Sequence, residues 1–158
     1  MAPCCVRPAM TSDAQGIAEC LGSAFEPYRH DYTTEAFGDT VPTATAVGQR
    51  LGEMSLFVAV DDTGEIVGTI GYKLVDGEEG HIRGMAVRPG QQGGPVAQQL
   101  LDTVEAELRR RQCWWISLDT TEPLRRAIAF YQKNGFRRTG RVSDFHGMPL
   151  FEYVKALD

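Results

Sequence analysis

No apolar run in this 158-residue chain approaches the roughly 20 residues that a membrane-spanning helix needs, which excludes such a span. Cysteine is scarce. Cys4, Cys5, Cys20 and Cys113 show no CxxC spacing and have no histidine placed to complete a zinc set, so no metal site is expected and adjacent Cys4 and Cys5 read as free thiols. Basic charge is also short: the net charge is −5, and the one dense basic cluster, Arg109 to Arg111, falls where a helix should end and its dipole favours cations. Nucleic acid is therefore not an expected partner. The opening "MAPCCVRPAM" has no charged leader followed by an apolar stretch, so neither a secretory signal nor a transit peptide is expected and the predicted location is the cytoplasm. Repeats, low-complexity tracts and linkers are missing too, which points to a single domain over residues 1–158.

What the chain does contain is a sequence of clear period changes. After a short strand around Cys5 to Pro8, "TSDAQGIAECLGSAF" opens with capping residues and spaces Ile17, Leu21 and Phe25 as a helix face. "EPYRHDYTTEAFGDTVPTATAVGQRLGEM" is interrupted by Pro27 and Pro42, predicting a broken helical excursion. "SLFVAV", the turn "DDTG" and "EIVGTIGYKLV" form a hairpin signal, and "GEEGHIRGMAV" is a further strand in which Gly84 suggests a bulge or a close backbone approach. The helix "GPVAQQLLDTVEAELRRR" repeats Val96, Leu100, Val104 and Leu108 along one face; the strand "CWWISLD" follows it. In the helix "EPLRRAIAFYQKNGF", Pro123 suits the first turn and Asn134 with Gly135 the end. Two strands, near Phe136–Val142 and Leu150–Leu157, finish the chain, joined through "SDFHGMP". Hairpins mixed with strand-helix-strand crossovers imply one mixed sheet covered by helices, an α/β class of the mixed α+β kind.

The stretch "MAVRPGQQGGPVAQQLL" runs a strand into a glycine turn and then a helix, an arrangement that turns several main-chain N–H groups toward an anion at the positive end of the helix dipole. A loop whose glycines merely turn the chain is the alternative. No P-loop is present, because Pro95, Val96 and Ala97 stand where Lys and Ser or Thr are required. A dinucleotide fold is also ruled out: its GxGxxG belongs near the first strand of an alternating unit, and this turn follows a hairpin.

Across nearly the whole chain, element order, this turn and the late helix resemble the GNAT superfamily of N-acetyltransferases. The family pattern of Q or R, x, x, G, x, then G or A, after V-x-P, is matched by Val87 and Pro89 and then by Gln92, Gly93, Gly94, Pro95, Val96 and Ala97, with Pro95 replacing the central glycine. The helix-end signature AxxFYxKxGF is matched by "AIAFYQKNGF", Ala127 to Phe136. The resemblance implies a central, mostly antiparallel sheet of about seven strands with about four flanking helices. It implies acetyl-CoA as co-substrate, held through its pyrophosphate by Gln92 to Ala97 and through its pantetheine arm and thioester by the main chain of Met85, Ala86 and Val87. The strand carrying Gly84 should splay from the strand carrying Trp115. Tyr131 matches the tyrosine that protonates the leaving thiolate; by periodicity alone it would be core beside Leu124 and Ile128.

Acetyl transfer to an amine needs a neutral nucleophile, stabilisation of the oxyanion and a proton for the departing sulfur. By family register the base falls at His81, with Glu79 and Glu26 as competitors. No cysteine matches a nucleophile position, so transfer should be direct, within a ternary complex. Relatives build the acceptor cleft from regions corresponding to residues 25–32 and 143–149. Phe25, Tyr28 and Tyr32 could wall an apolar slot there, and Glu26 or Asp144 could meet a cationic amine. The expected partner is a small-molecule amine or a peptide amine, and a homodimer is compatible with the family. The competing reading is a GNAT-like domain that binds acyl-CoA without turnover, motivated by Pro95 and by the lack of Lys or Arg between Gln92 and Ala97.

Overall fold

Alternation in "SLFVAV" sends Leu56 and Val58 to one face of a strand and Phe57 and Ala59 to the other, and all four are buried because helices cover both faces of the sheet. The computed structural model describes residues 4–158. The expectation about a leader segment falls partly on residues 1–3, outside the described residues. Seven strands form one sheet in the order β1-β2-β3-β4-β5-β7-β6, with β1 Cys5–Pro8, β2 Ser55–Val60, β3 Ile66–Val75, β4 Glu79–Val87, β5 Trp115–Thr120, β6 Arg137–Phe145 and β7 Met148–Ala156. Every neighbouring pair is antiparallel except β4 and β5, which are parallel and therefore need a crossover.

That crossover is helix α4, Val96–Arg110. Its buried stripe of Val96, Leu100, Leu101, Val104 and Leu108 joins the larger core, shared with α5, Arg125–Lys133, on one face of the sheet. Helices α1, Ala14–Phe25, α2, Thr34–Thr40, and α3, Ala44–Leu51, precede the hairpin; α1 packs Ile17, Cys20, Leu21 and Ala24 with Val47 of α3 against Leu56, Val58 and Ile66 on the opposite face. The broken excursion is thus two short helices after a 3-10 segment at Glu26–Asp31, each α-helix N-capped by a threonine, Thr33 or Thr43. Among the described residues no helix is long and apolar enough to cross a membrane.

Two boundaries differ from the sequence reading. "SDFHGMP" is not a connecting loop: β6 runs through Phe145 and β7 starts at Met148, leaving His146 (φ 50°) and Gly147 (φ 89°) as the turn. Two successive left-handed residues match the right-handed twist of a hairpin, which lets the strands run closer to the tip than Ser143 and Pro149 suggested. Helix α5 begins at Arg125, with Pro123 before it, and ends as expected at Asn134 and Gly135 (φ 94°).

The fold opens the sheet at one place. The β3–β4 register jumps from Gly71↔Arg83 to Thr69↔Ala86, so β4 carries an extra residue around Gly84, whose φ of 69° suits glycine. On the other edge of β4, pairing with β5 stops at Ile82↔Leu118, although both strands continue. The strands part there, leaving the main chain of β4 from Arg83 onward without a partner on its β5 side.

Candidate active site

A cleft of about 410 Å³ lies at this parting, lined from β4 by His81 to Met85, from β5 by Leu118 to Thr120, and from α5 by Tyr131. Its far wall comes from the helical excursion and the last hairpin: Phe25, Tyr32, Asp39, Arg50, Phe145 and Leu150. A smaller cavity of about 280 Å³ adjoins it over β5 and β7, and His81 and Asp119 line both.

Beyond the end of β4 the glycine turn leads into α4, which starts at Val96 with Pro95 as its N-cap, and the Pro95 carbonyl accepts the first helical bond, from Gln99 N–H at 3.0 Å. The amides of Val96, Ala97 and Gln98 thus precede the helical ladder, at the positive end of a helix 15 residues long. Gly93 has φ 83° and no atom within 4 Å of where a Cβ would stand, so the turn is open to close approach. Gln92 fastens this turn: its Nε2 donates to the Val87 carbonyl at 3.0 Å, while its Oε1 accepts from Arg126 Nη1 at 3.1 Å. Arg126 is the cation that the turn itself lacks. It comes from α5, 34 residues onward, and only the docking of α5 beside α4 brings it there, a packing also seen in Gln98 Nε2 donating to Asn134 Oδ1 at 2.8 Å.

Tyr131 is buried, packed edge-on against Phe130 and Phe136, with burial pushing its hydroxyl up to about 12 from 10.0. Its Oη donates to the Met85 sulfur at 3.7 Å, a weak acceptor. The residue is therefore both part of the core and part of the cleft wall, so the two readings of its position are compatible.

On β4 and β5, in-register residues share one face, and there Glu79, His81, Ser117 and Asp119 form a polar chain. Ser117 is fully buried. Its hydroxyl donates to Glu79, and its oxygen lies 2.8 Å from His81 Nδ1. A serine has one proton to give, and here the Glu79 carboxylate takes that bond, so Ser117 must accept from His81 Nδ1–H. Neutral His81 then keeps its lone pair on Nε2, on the side of the Asp119 carboxylate, 3.6 Å away. Burial pushes the Asp119 carboxyl up, opposed by the pull of His81.

Not every anticipated residue reaches the cleft. Phe25 and Tyr32 line it, and Tyr32 Oη hydrogen-bonds Thr121 Oγ1 at 2.6 Å; Tyr28, Glu26 and Asp144 are not among its lining residues, and neither are Ala86, Val87 and Gln92 to Ala97, which lie at the end of β4 and in the turn and helix start beyond it. Glu26 is exposed and tied to Arg29 at 2.9 Å, and Asp144 caps its own turn at Gly147 N–H, 3.3 Å away. Glu79 lines the smaller cavity and acts on His81 through Ser117. Sequence reasoning missed Ser117, Asp119, Arg126 and Arg50. A small polar residue at alternate positions of "WISLD" was the available signal for the first two; no local signal marks the arginines. Thr120 adds a buried hydroxyl with no hydrogen-bond partner at the cleft wall. Among the described residues no group of three potential ligands could hold a metal ion.

The cysteines stand apart from this chemistry. None lines either cavity, and burial pushes the Cys20 thiol up to about 11.

The acetyltransferase (GNAT) family model matches residues 17–136, more than half of the chain, and the chain belongs to that family. A curated relative, the uncharacterized protein YdhI of Bacillus subtilis, is 36% identical over 88 residues, 56% of this chain and 53% of its own length, so the match spans about half of that relative. The fold is similar to that of a GNAT acetyltransferase from Staphylococcus aureus Mu50 (TM-score 0.80, 20% identity, 99% of this chain and 100% of that one). It is equally similar to the PaiA N-acetyltransferase of Thermoplasma acidophilum, solved in complex with coenzyme A (TM-score 0.80, 18% identity, 98% and 99%). The ribosomal-protein-S18-alanine N-acetyltransferase of Escherichia coli has the same architecture (TM-score 0.77, 16% identity, 99% and 95%).

Proposed function

We propose that this protein moves an acetyl group from acetyl-CoA to a primary amine by direct transfer in a ternary complex. The carrying observation is the parting of β4 and β5 beyond Ile82, with a buried phenol donor on one wall and a histidine of defined tautomer on the other. The residues present fit the coenzyme. Main-chain amides at the start of α4, the open turn at Gly93 and the Arg126 guanidinium suit a pyrophosphate. The unpaired edge of β4 suits an amide-rich arm that adds to it as a strand would. Acetyl-CoA supplies the activated acetyl group as a thioester.

The chain's own part is proton management and positioning. An aliphatic amine has an ordinary pKa near about 10 and arrives as an ammonium, which the Asp119 carboxylate attracts into the cleft. His81 Nε2 takes a proton from the nitrogen, while Ser117 and Glu79 hold the ring through Nδ1–H and stabilise the imidazolium that forms. The neutral amine nitrogen bonds to the acetyl carbon as the carbon–sulfur bond breaks, and the second proton that nitrogen sheds on becoming an amide goes to the departing thiolate. The sulfur, a far stronger acceptor than the Met85 thioether, takes the Tyr131 hydrogen bond. With its hydroxyl near about 12, Tyr131 stabilises the thiolate by donation more than by giving up its proton. The cysteines' distance from the cleft fits a route without an acetylated enzyme.

Calorimetric titration with acetyl-CoA followed by a transfer assay on an amine panel tests this. Binding with product formation is the expected result. Binding without transfer or hydrolysis would support the other reading, a non-catalytic acyl-CoA-binding domain, for which Pro95 and its missing N–H at the start of α4 are the specific observation.

A further inference from the structure

The far wall of the cleft carries a guanidinium with little to hold. Arg50, in the last turn of α3, is only 15% exposed in its side chain and lines the cleft. Of its five donors, Nη2 gives one bond, to the Asp39 main-chain carbonyl at 3.0 Å. The nearest carboxylate oxygen, Asp39 Oδ1, is 3.8 Å away and already accepts from Arg83 at 3.1 Å, while His146 approaches the other Asp39 oxygen at 3.5 Å. Among the described residues no Arg50 nitrogen is a buried group without a partner, so its remaining donors reach the open cleft and are free to meet a ligand there, while desolvation of the rest of the group lowers its pKa. Its Nη1 lies 3.8 Å from where a Cβ on Gly84 would stand, so the unused donors sit beside the β4 bulge, next to Met85 and the parting of the strands.

The charge around the cleft is also sorted. Lys73, opposite His81 in the β3–β4 register, and Arg83 join Arg50 as cations, against Asp39, Glu53 and Asp119 as anions, so the wall is formally neutral with His81 uncharged. A polyamine would call for an excess of carboxylates. A zwitterion does not: its ammonium suits Asp119 beside His81, and its anionic end suits Arg50.

We propose that the acceptor is an amine that also carries a carboxylate, an amino acid or a close analogue, with Arg50 as the residue that binds the carboxylate. This rests on the acetyl-transfer reading for what happens to the amine, but not for the binding of the acid. The test uses the full chain saturated with coenzyme A, titrated calorimetrically with matched triplets: phenylalanine, methionine and glutamine, each beside its α-amide and its decarboxylated amine. At least one acid is expected to bind tenfold or more tightly than both partners. Arg50→Gln should abolish that preference at unchanged coenzyme affinity, and Arg50→Lys should restore part of it. Equal binding within every triplet, a preference for amide or amine, or no binding of any acid overturns the proposal in the unaltered protein, whether or not a variant folds. A preference that survives in folded Arg50→Gln overturns the assignment to Arg50. The same compounds in a transfer assay keep the two readings apart. Acid preference without acetylated product removes the transfer reading alone, and acetylation of amides and amines as fast as acids removes the carboxylate site alone.

Discussion

The proposed coenzyme site and the cleft proposed for the acceptor are built in opposite ways. The coenzyme site is nearly contiguous: the last residues of β4, the turn at Gln92 to Pro95 and the first amides of α4 follow one another, with Arg126 the one distant addition. The acceptor end is assembled from five separate places, Phe25 and Tyr32, Asp39 and Arg50, Lys73 with His81, Asp119, and Phe145 with Leu150. Main-chain amides and a helix terminus can hold a phosphate group whatever the side chains are, so one short stretch suffices. Discrimination among amines needs side chains of chosen charge at chosen points, and only tertiary packing gathers those. If this division is right, substitutions at the acceptor end should change turnover and leave coenzyme affinity alone, and substitutions at the other end should do the reverse.

The largest effect belongs to His81. Replacing it with Gln should lower kcat by about 10²- to 10⁴-fold, the usual range for a positioned base, with acetyl-CoA affinity unchanged by titration. The deficit should narrow above about pH 10, where the amine arrives neutral. Ser117→Ala should cost less at neutral pH and shift the pH–rate profile, because Nδ1–H loses its acceptor and the tautomer is no longer fixed. A deficit that stays constant across pH would remove His81 from the base role.

Tyr131→Phe should come next, with kcat about 10- to 100-fold lower and coenzyme affinity little changed. The buried hydroxyl is pushed up to about 12 from 10.0, so it stays protonated and should cause no falling limb in the pH–rate profile below about pH 11. The raised value also has a consequence for stability. A phenol whose folded pKa exceeds its unfolded one stabilises the fold fully below pH 10, and that contribution disappears as pH rises through about 12. Thermal melts between pH 9 and 11.5 should show an alkaline loss that is smaller in Tyr131→Phe; full kcat in that variant over the whole range would show that the hydroxyl does nothing for the leaving sulfur.

This division also explains what could be read in advance. The strands, the crossover and the glycine turn were legible because each rests on local periodicity or on residues such as Gly84 and Gly135 whose backbone angles demand them. His81 came from the register of the family resemblance, and the structure places it on the cleft wall in line with Ser117. For Glu26 and Asp144 the resemblance supplies only the region and their charge the role, and neither says which way an exposed carboxylate turns; each finds a partner within three residues, Arg29 and the Gly147 amide. Arg50, Ser117 and Arg126 act through partners 11, 36 and 34 residues away, beyond the reach of any local pattern.

At the coenzyme end the expected effects are smaller. Arg126 is exposed, so its charge is screened, and Arg126→Gln should weaken acetyl-CoA binding about three- to tenfold, reduce the salt dependence of that binding and leave kcat at saturation unchanged. A change in kcat with no change in affinity would place Arg126 outside the phosphate site.

Pro95→Gly should have the smallest effect. Proline at the N-cap of α4 withholds one N–H, and a hydrogen bond to a charged group is worth roughly 1.5–3 kcal/mol. Glycine would restore the donor, but it would also free a backbone that proline holds at φ −82°, at an entropic cost of roughly 0.4–1 kcal/mol. Glycines already occupy positions 93 and 94, so a third adds to the freedom the unbound turn must lose and offsets part of the gain. The balance favours tighter acetyl-CoA binding, by up to about tenfold, with a slightly lower melting temperature for the free protein. Unchanged or weaker binding would mean that the residue 95 amide does not face the pyrophosphate, and that the amides of Val96 and Ala97 with Arg126 already complete the site.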